Sequence, residues 1–408
     1  MAIEGASARR RRAASATGSR EAVGRVARGP RRSARYAFPA DHAARTADWI
    51  AARQRPDGEI PWSPGGKMDP WDHVHAAMGL ATAGRIAQAE AAFRFLAEHQ
   101  YPDGGFACER RDGRVVNSSR ESNHAAYLAT GLWHLYTAKP DPDFLAEMWP
   151  AVERAIEFVL RLQEPSGAIS WAVDPEGRIW RAPLVTGSSS IHGSLVCAAR
   201  IAERLDHDRP AWRVARRRLA FVLRHEPEHF ENADLPEPPG RHSMDWYYPV
   251  LGGAVRGAAA REHLLHPEHN ATFIEEGVGC RCVKDHAWYT VAETCELALA
   301  LDAAGLRSRA REVFSWMAPW RHDDGGYWTG ATHPEREIYP DGEQTAWTAA
   351  TVLMAADALG AGSPTSAFFR ELAGAEEAAI GLAGGSPGGV RGRAPVSVVD
   401  PPVEAIED

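Results

Sequence analysis

The chain has 408 residues, 44% of them hydrophobic, which is enough for a sizeable core, and no stretch approaches the roughly 20 apolar residues of a membrane span. Its net charge of −8 is unevenly spread: residues 1–35 hold ten Arg against Glu4 and Glu21, a local +8, so the rest of the chain carries −16. A body that acidic disfavours nucleic acid and diphosphate-rich ligands and suits a neutral one.

The basic arm, 1–35, has almost no large apolar side chains and is expected to be disordered. Its RRRR run is followed by AASATGSREAVGRV, without the apolar segment of a secretory or twin-arginine signal, so a cytoplasmic location is expected. From residue 36 to 360 alternating strand patterns are almost absent and helical periodicity recurs, which predicts an all-α domain. One set of segments is amphipathic, with Arg and Glu on one face: DHAARTADWIAARQ, AQAEAAFRFLAEHQ, DFLAEMWPAVERAIEFVLRLQ, AWRVARRRLAFVLRHE, the weaker HNATFIEEGVG, and RSRAREVFSWMAP. Between them lie segments that start with charged or aromatic residues and continue as small-residue helices. These begin at DPWDHVHAAMGL, SRESNHAAYLAT, SSSIHGSLVCAA, SMDWYYPVLGGAVRGAAA, DHAWYTVAETCELAL and DGEQTAWTAATVL. Six outer and inner helices in alternation predict an (α/α)6 toroid, whose inner helices point one end into a shared bowl. From 361 to 408 a short helix near 365–380 and a disordered Gly/Pro-rich tail are expected.

Four loops after outer helices share a second signature: QRPDGEIPW, QYPDGGFAC, LQEPSGAISW and HDDGGYWTG, each with Gln or His, a tight turn, glycine and an aromatic. Glycine there permits a left-handed turn, and the aromatic can pack under the adjacent pair. These loops resemble those of terpene cyclases and protein prenyltransferase subunits, where they brace the barrel. The acid motifs of those enzymes are missing: DPWD lacks the spacing and third aspartate of a DxDD cyclase. Cys280-Arg281-Cys282 with Asp285 and His286 is a zinc suggestion without a second ligand pair, so no metal and no other cofactor is expected.

The bowl brings together the first turns of the inner segments. Asp69, before Pro70, is a natural helix cap; Asp72 lies on the same side one turn on, and two crowded carboxylates are a cost unless they are used. Candidate substrate contacts are Trp71, Glu121, His124, His192, Asp245, Trp246, Tyr247, Trp288, Tyr289, Glu343 and Trp347. Each alone also fits a structural role, the acids as caps, the histidines and aromatics as core. Glu293, among Val, Ala and Cys, should be desolvated and able to hold its proton as a general acid, with Asp69 or Asp72 as the base. Two carboxyl groups across a bowl with aromatic walls are the equipment of glycoside hydrolysis, and their separate positions on their helices suggest inversion. The alternatives are a terpene cyclase or prenyltransferase-like enzyme of the same toroid shape, or a sugar epimerase using His124 and His192 as acid and base.

Across roughly 41–360 the chain resembles the six-hairpin α/α-toroid glycoside hydrolases. More narrowly, the DPWDH start, the ESNHAA helix and the WYTVAETCELAL helix are similar to the actinobacterial prenyltransferase-like group of methylmannose polysaccharide hydrolases. That resemblance implies an intracellular, endo-acting enzyme on an α-1,4-linked polysaccharide, with Asp69, Asp72 and Glu293 in its cleft. The expected partner is an oligosaccharide or polysaccharide, with neither nucleic acid nor membrane involved.

Overall fold

A computed structural model describes residues 38–231 and 239–374. The basic arm, 1–35, and the tail beyond 374, both expected to be disordered, lie outside these. Fourteen helices dominate: α1 (Ala40–Ala51), α2 (Pro70–Thr82), α3 (Ile86–Glu98), α4 (Ser122–Ala138), α5 (Pro142–Arg161), α6 (Val185–Arg204), α7 (Pro210–His225), α8 (Ser243–Leu251), α9 (Gly257–Leu264), α10 (Pro267–Phe273), α11 (Val291–Ala303), α12 (Arg307–Ser315), α13 (Ala346–Gly360) and α14 (Phe368–Gly374). None among the described residues is long and apolar enough to cross a membrane.

Composition sorts the helices. In α11 every residue from Val291 to Asp302 is buried, and α4 is buried from Ser122 to Leu132, so neither has a solvent face. Such helices belong inside. By contrast α5 and α7 bury one stripe and expose their Glu and Arg. The small-residue helices pack in a closed circuit: α2 on α4, α4 on α6, α6 on α8, α8 on α11, α11 on α13, and α13 back on α2. The amphipathic ones lie against this circuit, with the short pair α9 and α10 where a single weak outer helix was expected.

Two inner segments differ from expectation. The fourth helix stops at Leu251 instead of running on through GGAVRGAAA, because Gly252 and Gly253 follow and Gly253 adopts φ +73°. The fifth starts only at Val291; the preceding Trp288–Thr290 is a strand. It belongs to one of three small antiparallel sheets that the helical reading did not anticipate. The first joins β1 (Lys67–Met68), β2 (Glu109–Arg111) and β3 (Arg114–Asn117), and the second β4 (Arg120–Glu121), β5 (Ala172–Val173) and β6 (Ile179–Trp180). The third joins β7 (Ile274–Glu275), β8 (Gly279–Arg281), β9 (Trp288–Thr290) and β10 (Gly330–Thr332). Strands of two to four residues leave too little periodicity to read.

The four loops of the second signature are the braces of the outer wall. Gly58, Gly104, Gly167 and Gly325 have φ of +97°, +93°, +107° and +100°, and a Cβ on each would strike the backbone at Ala91, Arg154, Arg218 and Arg45 respectively. In three of them the glutamine amide bridges its own loop to the next outer helix. Gln54 Nε2 donates to Gly58 O and Gln88 O, Gln100 Nε2 to Gly104 O and Ala151 O, and Gln163 Nε2 to Gly167 O and Ala215 O. In the fourth, Thr46 of α1 donates to Gly325 O at 2.8 Å, joining the last loop to the first helix. The residue two after each glycine, Ile60, Phe106, Ile169 or Tyr327, is at most 2% exposed, so a large apolar side chain, not always an aromatic, fills the gap.

Gly104→Ala meets both a positive φ and a backbone carbonyl, and should lower unfolding free energy by about 2–4 kcal/mol. Gln100→Ala, which leaves two carbonyls and the Arg154 Nε donor without their partner, should cost about 1–2 kcal/mol. Urea denaturation followed by circular dichroism measures both, and a Gly104→Ala protein as stable as the parent would contradict the brace.

Candidate active site

Three of the inner helices are entered through a sheet, and each entry delivers a carboxyl group. Strand β1 leads to Asp69, the N-cap of α2, whose side chain accepts the Asp72 N–H at 2.9 Å and lies 3.3 Å from Lys67 Nζ. Strand β4 ends in Glu121, at the N-cap position of α4; its carboxylate accepts the Cys108 thiol at 3.0 Å and faces His124 Nε2 at 3.4 Å. Strand β9 leads through Thr290 to Glu293 in the first turn of α11.

The carboxyl groups titrate apart. Burial alone would raise Asp69, but the Lys67 ammonium, His124 and the Asp72 N–H hold it below the usual carboxylate range. Asp72, half-buried, is pushed well up by burial and then by the Asp69 charge beside it. The two carboxyl groups are thus driven in opposite directions. Glu293, 3% exposed, is raised chiefly by burial, against the lowering effect of Thr290 and Cys282, and its Oε2 has no hydrogen-bond partner. Burial also opposes the ionisation of Glu121, yet His124 and the Cys108 thiol bring it down to about 2.

Beneath this mouth lies a buried network centred on Glu296, a residue absent from the sequence-derived set. Tyr247 Oη donates to it at 2.7 Å and Tyr248 Oη at 3.0 Å, while His75 Nε2 is 3.4 Å away. Tyr127 Oη is 3.0 Å from the same His75 nitrogen, and Trp71 stacks on Tyr127 with centroids 4.4 Å apart. The His75–Glu296 contact fixes how α2 faces α11. Asp72 is three residues before His75 and Glu293 three before Glu296, so each acid shares a helix face with a member of that contact and lies one turn nearer the start of its helix. Trp347, in the first turn of α13, is also close to this contact: its ring is 6.5 Å from His75 and its indole Nε1 has no hydrogen-bond partner.

Other sequence candidates divide between the mouth and the frame. Glu343 accepts Thr329 Oγ1 at 3.0 Å, and burial raises it against the pull of Thr329 and Lys67. Trp288 lies half-buried on β9, donating to Tyr339 O at 2.9 Å. Asp245 is a brace, accepting Thr186 N–H and Oγ1 at 3.2 and 2.7 Å and so tying α6 to α8. Three expectations are corrected. Trp246 turns to the outer wall, donating to His263 O at 3.2 Å and stacking near His269 and Phe273. Tyr289 alternates with Trp288 and Thr290 on the strand and points to Arg281 and His333 on the other side. His192 sits on the second turn of α6 because the helix begins earlier than expected, at Val185; fully buried, with Nδ1 2.8 Å from Gly252 O, its pKa is lowered to about 3 by burial. It belongs to the frame, which removes one half of the histidine pair an epimerase would need.

Among the described residues Cys108, Glu121 and His124 hold three potential ligand atoms within 4.8 Å of one another. The Cys108 thiol is raised far above its ordinary value by burial and then by Glu121, so it stands as a hydrogen-bond donor to the carboxylate. Cys282 of the CxC motif is likewise pushed up by burial and by Glu293.

No protein-family model matches the chain. Its sequence is 44% identical over 325 residues to the MMP endo-(1,4)-3-O-methyl-α-D-mannosidase of Mycolicibacterium hassiacum, covering 80% of this chain and 88% of that protein. Similar solved structures include a wild-type glycosidase (TM-score 0.60, 16% identity, 81% of this chain and 96% of that one). A sugar epimerase from a ruminal bacterium (0.58, 12%, 77% and 98%) and a D-mannose isomerase (0.57, 10%, 78% and 95%) are also similar. At those identities the structural likenesses speak for the fold alone.

Glu296 raises both Asp72 and Glu293 through its charge. Glu296→Gln keeps an acceptor for the tyrosines and removes that charge, so the protonated acids should lose their protons at lower pH. The alkaline limb of the pH profile for turnover should move to lower pH, with the acidic limb unmoved. An alkaline limb that stays in place would dissociate Glu296 from the acids.

Proposed function

Since the chain belongs to the family of the MMP endo-(1,4)-3-O-methyl-α-D-mannosidase, we propose that it hydrolyses internal α-1,4 linkages of a 3-O-methylmannose polysaccharide, within an (α/α)6 toroid formed by the closed circuit of inner helices. It is a glycoside hydrolase by family. The observation that supports the site reading is the 3.4 Å contact between His75 and Glu296, since Asp72 and Glu293 each lie one helical turn from it.

In this reading Glu293 is the general acid. Its Oε2 has no partner, so its proton is available to the glycosidic oxygen, whereas the Asp72 proton is engaged beside Asp69. Protonation lets the bond between the anomeric carbon and that oxygen break. Water attacks the opposite face of the sugar, and Asp69, ionised beside Lys67, takes the water proton with Asp72 holding it in place. Helices α2 and α11 are not neighbours in the circuit, since α13 stands between them on the shorter side. With neighbouring axes about 9 Å apart, next-neighbours in a six-membered ring are on the order of 16 Å apart, and two reaching carboxyl groups then leave room for a water. This favours inversion. Trp347, Trp288, Glu121, His124 and Glu343 would hold sugar rings and hydroxyls around the acids. The five cysteines, all buried and unpaired, suit a reducing compartment and support a cytoplasmic location.

Incubation with 3-O-methylated α-1,4-manno-oligosaccharides, their unmethylated counterparts and α-glucans, with products read by mass, should give shortened chains from the methylated set. Proton NMR of the first anomer released should show inverted configuration. Glu293→Gln should lower kcat by about a hundredfold to ten-thousandfold with KM little changed. A retained anomer would overturn the inverting assignment, and an active Glu293→Gln protein the acid.

A further inference from the structure

Eight large hydrophobic side chains are strongly exposed among the described residues, and five of them sit on or beside the small sheets that feed the acids into the bowl. Val115 and Val116, 43% and 56% exposed, lie on β3, the outer strand of the sheet leading to Asp69. Ile179 and Trp180, 38% and 47% exposed, form β6, the outer strand of the sheet leading to Glu121. Tyr339, 53% exposed, packs edge-on against Trp288, the strand residue just before Glu293's helix, with ring centroids 5.4 Å apart. The remaining three, Val214, Phe221 and Leu265, are on the outer wall.

Trp180 is tied directly to the site. Its ring meets Trp171 edge-on at 5.2 Å; the Trp171 carbonyl accepts both the N–H and the hydroxyl of Ser122 at 2.8 Å, and Trp171 is among the groups that lower Glu121. An aromatic path thus runs from the surface to a buried carboxylate of the mouth.

We propose that these apolar tips form a collar around the mouth that binds the O-methylated flank of the saccharide chain on either side of the cleaved bond. The proposal rests on the hydrolase reading above and adds the specificity element to it. Methylation removes a hydroxyl donor and adds an apolar group, so a methylated sugar presents more of what Trp180, Tyr339 and the valines can cover, and less of what they would leave unpaired. The apolar tips are spread over three separate sheets around an acidic mouth. This suits a chain threading past the mouth better than a flat protein partner, which would meet one contiguous patch. The acidic body disfavours an anionic membrane.

Isothermal titration tests this without turnover. In a Glu293→Gln background, the protein is titrated with a 3-O-methylated α-1,4-mannan chain and with an unmethylated chain of equal length. Trp180→Ala and Tyr339→Ala should each weaken binding of the methylated chain about fivefold and change the unmethylated one by less than about twofold, while Trp180→Phe keeps most of the preference. Both side chains are exposed, so the fold should persist, with circular dichroism as the check. Equal losses for the two chains, or none for either, would overturn the collar. Failure of the wild-type protein to release product would instead count against the hydrolase reading, which this binding measurement does not use.

Discussion

A carboxylate that is 1% exposed must be satisfied by the protein, and much of the bowl is organised around doing this for Glu296. Its two oxygens take hydroxyls from consecutive residues of α8, Tyr247 and Tyr248, and meet His75 of α2. Three inner helices are therefore keyed to one side chain. A rotation of α2, α8 or α11 would strand a buried charge, and the penalty for that is far larger than the gain from any single packing adjustment. Asp72 and Glu293 each lie one helical turn from a member of the keyed contact, so their backbone positions depend on it. Site geometry here is inherited from the frame below it.

Environment then separates acids that the sequence makes alike. Asp69 and Asp72 are the same residue type three positions apart, yet Lys67 beside the first lowers it, while burial and then the Asp69 charge raise the second. Glu293 is raised for a different reason, chiefly burial away from water. Placing a low-pKa and a raised-pKa carboxyl on opposite walls is how a single site can both give and take protons near neutrality.

What the sequence disclosed follows the length over which a pattern repeats. Helices of twelve or more residues and the Gln-turn-Gly loops could be read, as could the capping logic that drew attention to Asp69 and Asp72. Short strands could not: HAWYT looked like the start of a helix, and as a strand it sends Tyr289 away from the side that Trp288 and Thr290 occupy. Helix phase was the second limit. An early start at Val185 carried His192 below the mouth, and α8 turned Trp246 to the outside. Glu296 was hidden by its surroundings, since ETCELALAL reads as core. An acid repeated one turn on in a helix with no solvent face was nevertheless the available signal, because a second buried carboxylate needs partners that only the fold can reveal.

Closure of the circuit and assembly of the site are one event. Helix α2, which carries Asp69 and Asp72, packs on α13, the last inner helix, where a Cβ on Gly79 would sit 2.7 Å from Ala350 Cα. Outside them, Thr46 reaches Gly325 across 279 residues of sequence. Joining such distant segments costs chain entropy, although the cost rises only slowly with separation, and close helix packing plus the glycine brace offset it. Until α13 docks, Trp347 cannot face His75, and the mouth lacks the segment bearing Glu343. An open chain thus holds acids without an enclosed, desolvated bowl. The raised pKa of Glu293 comes chiefly from burial, so it depends on the packing of the whole circuit and not on any one helix.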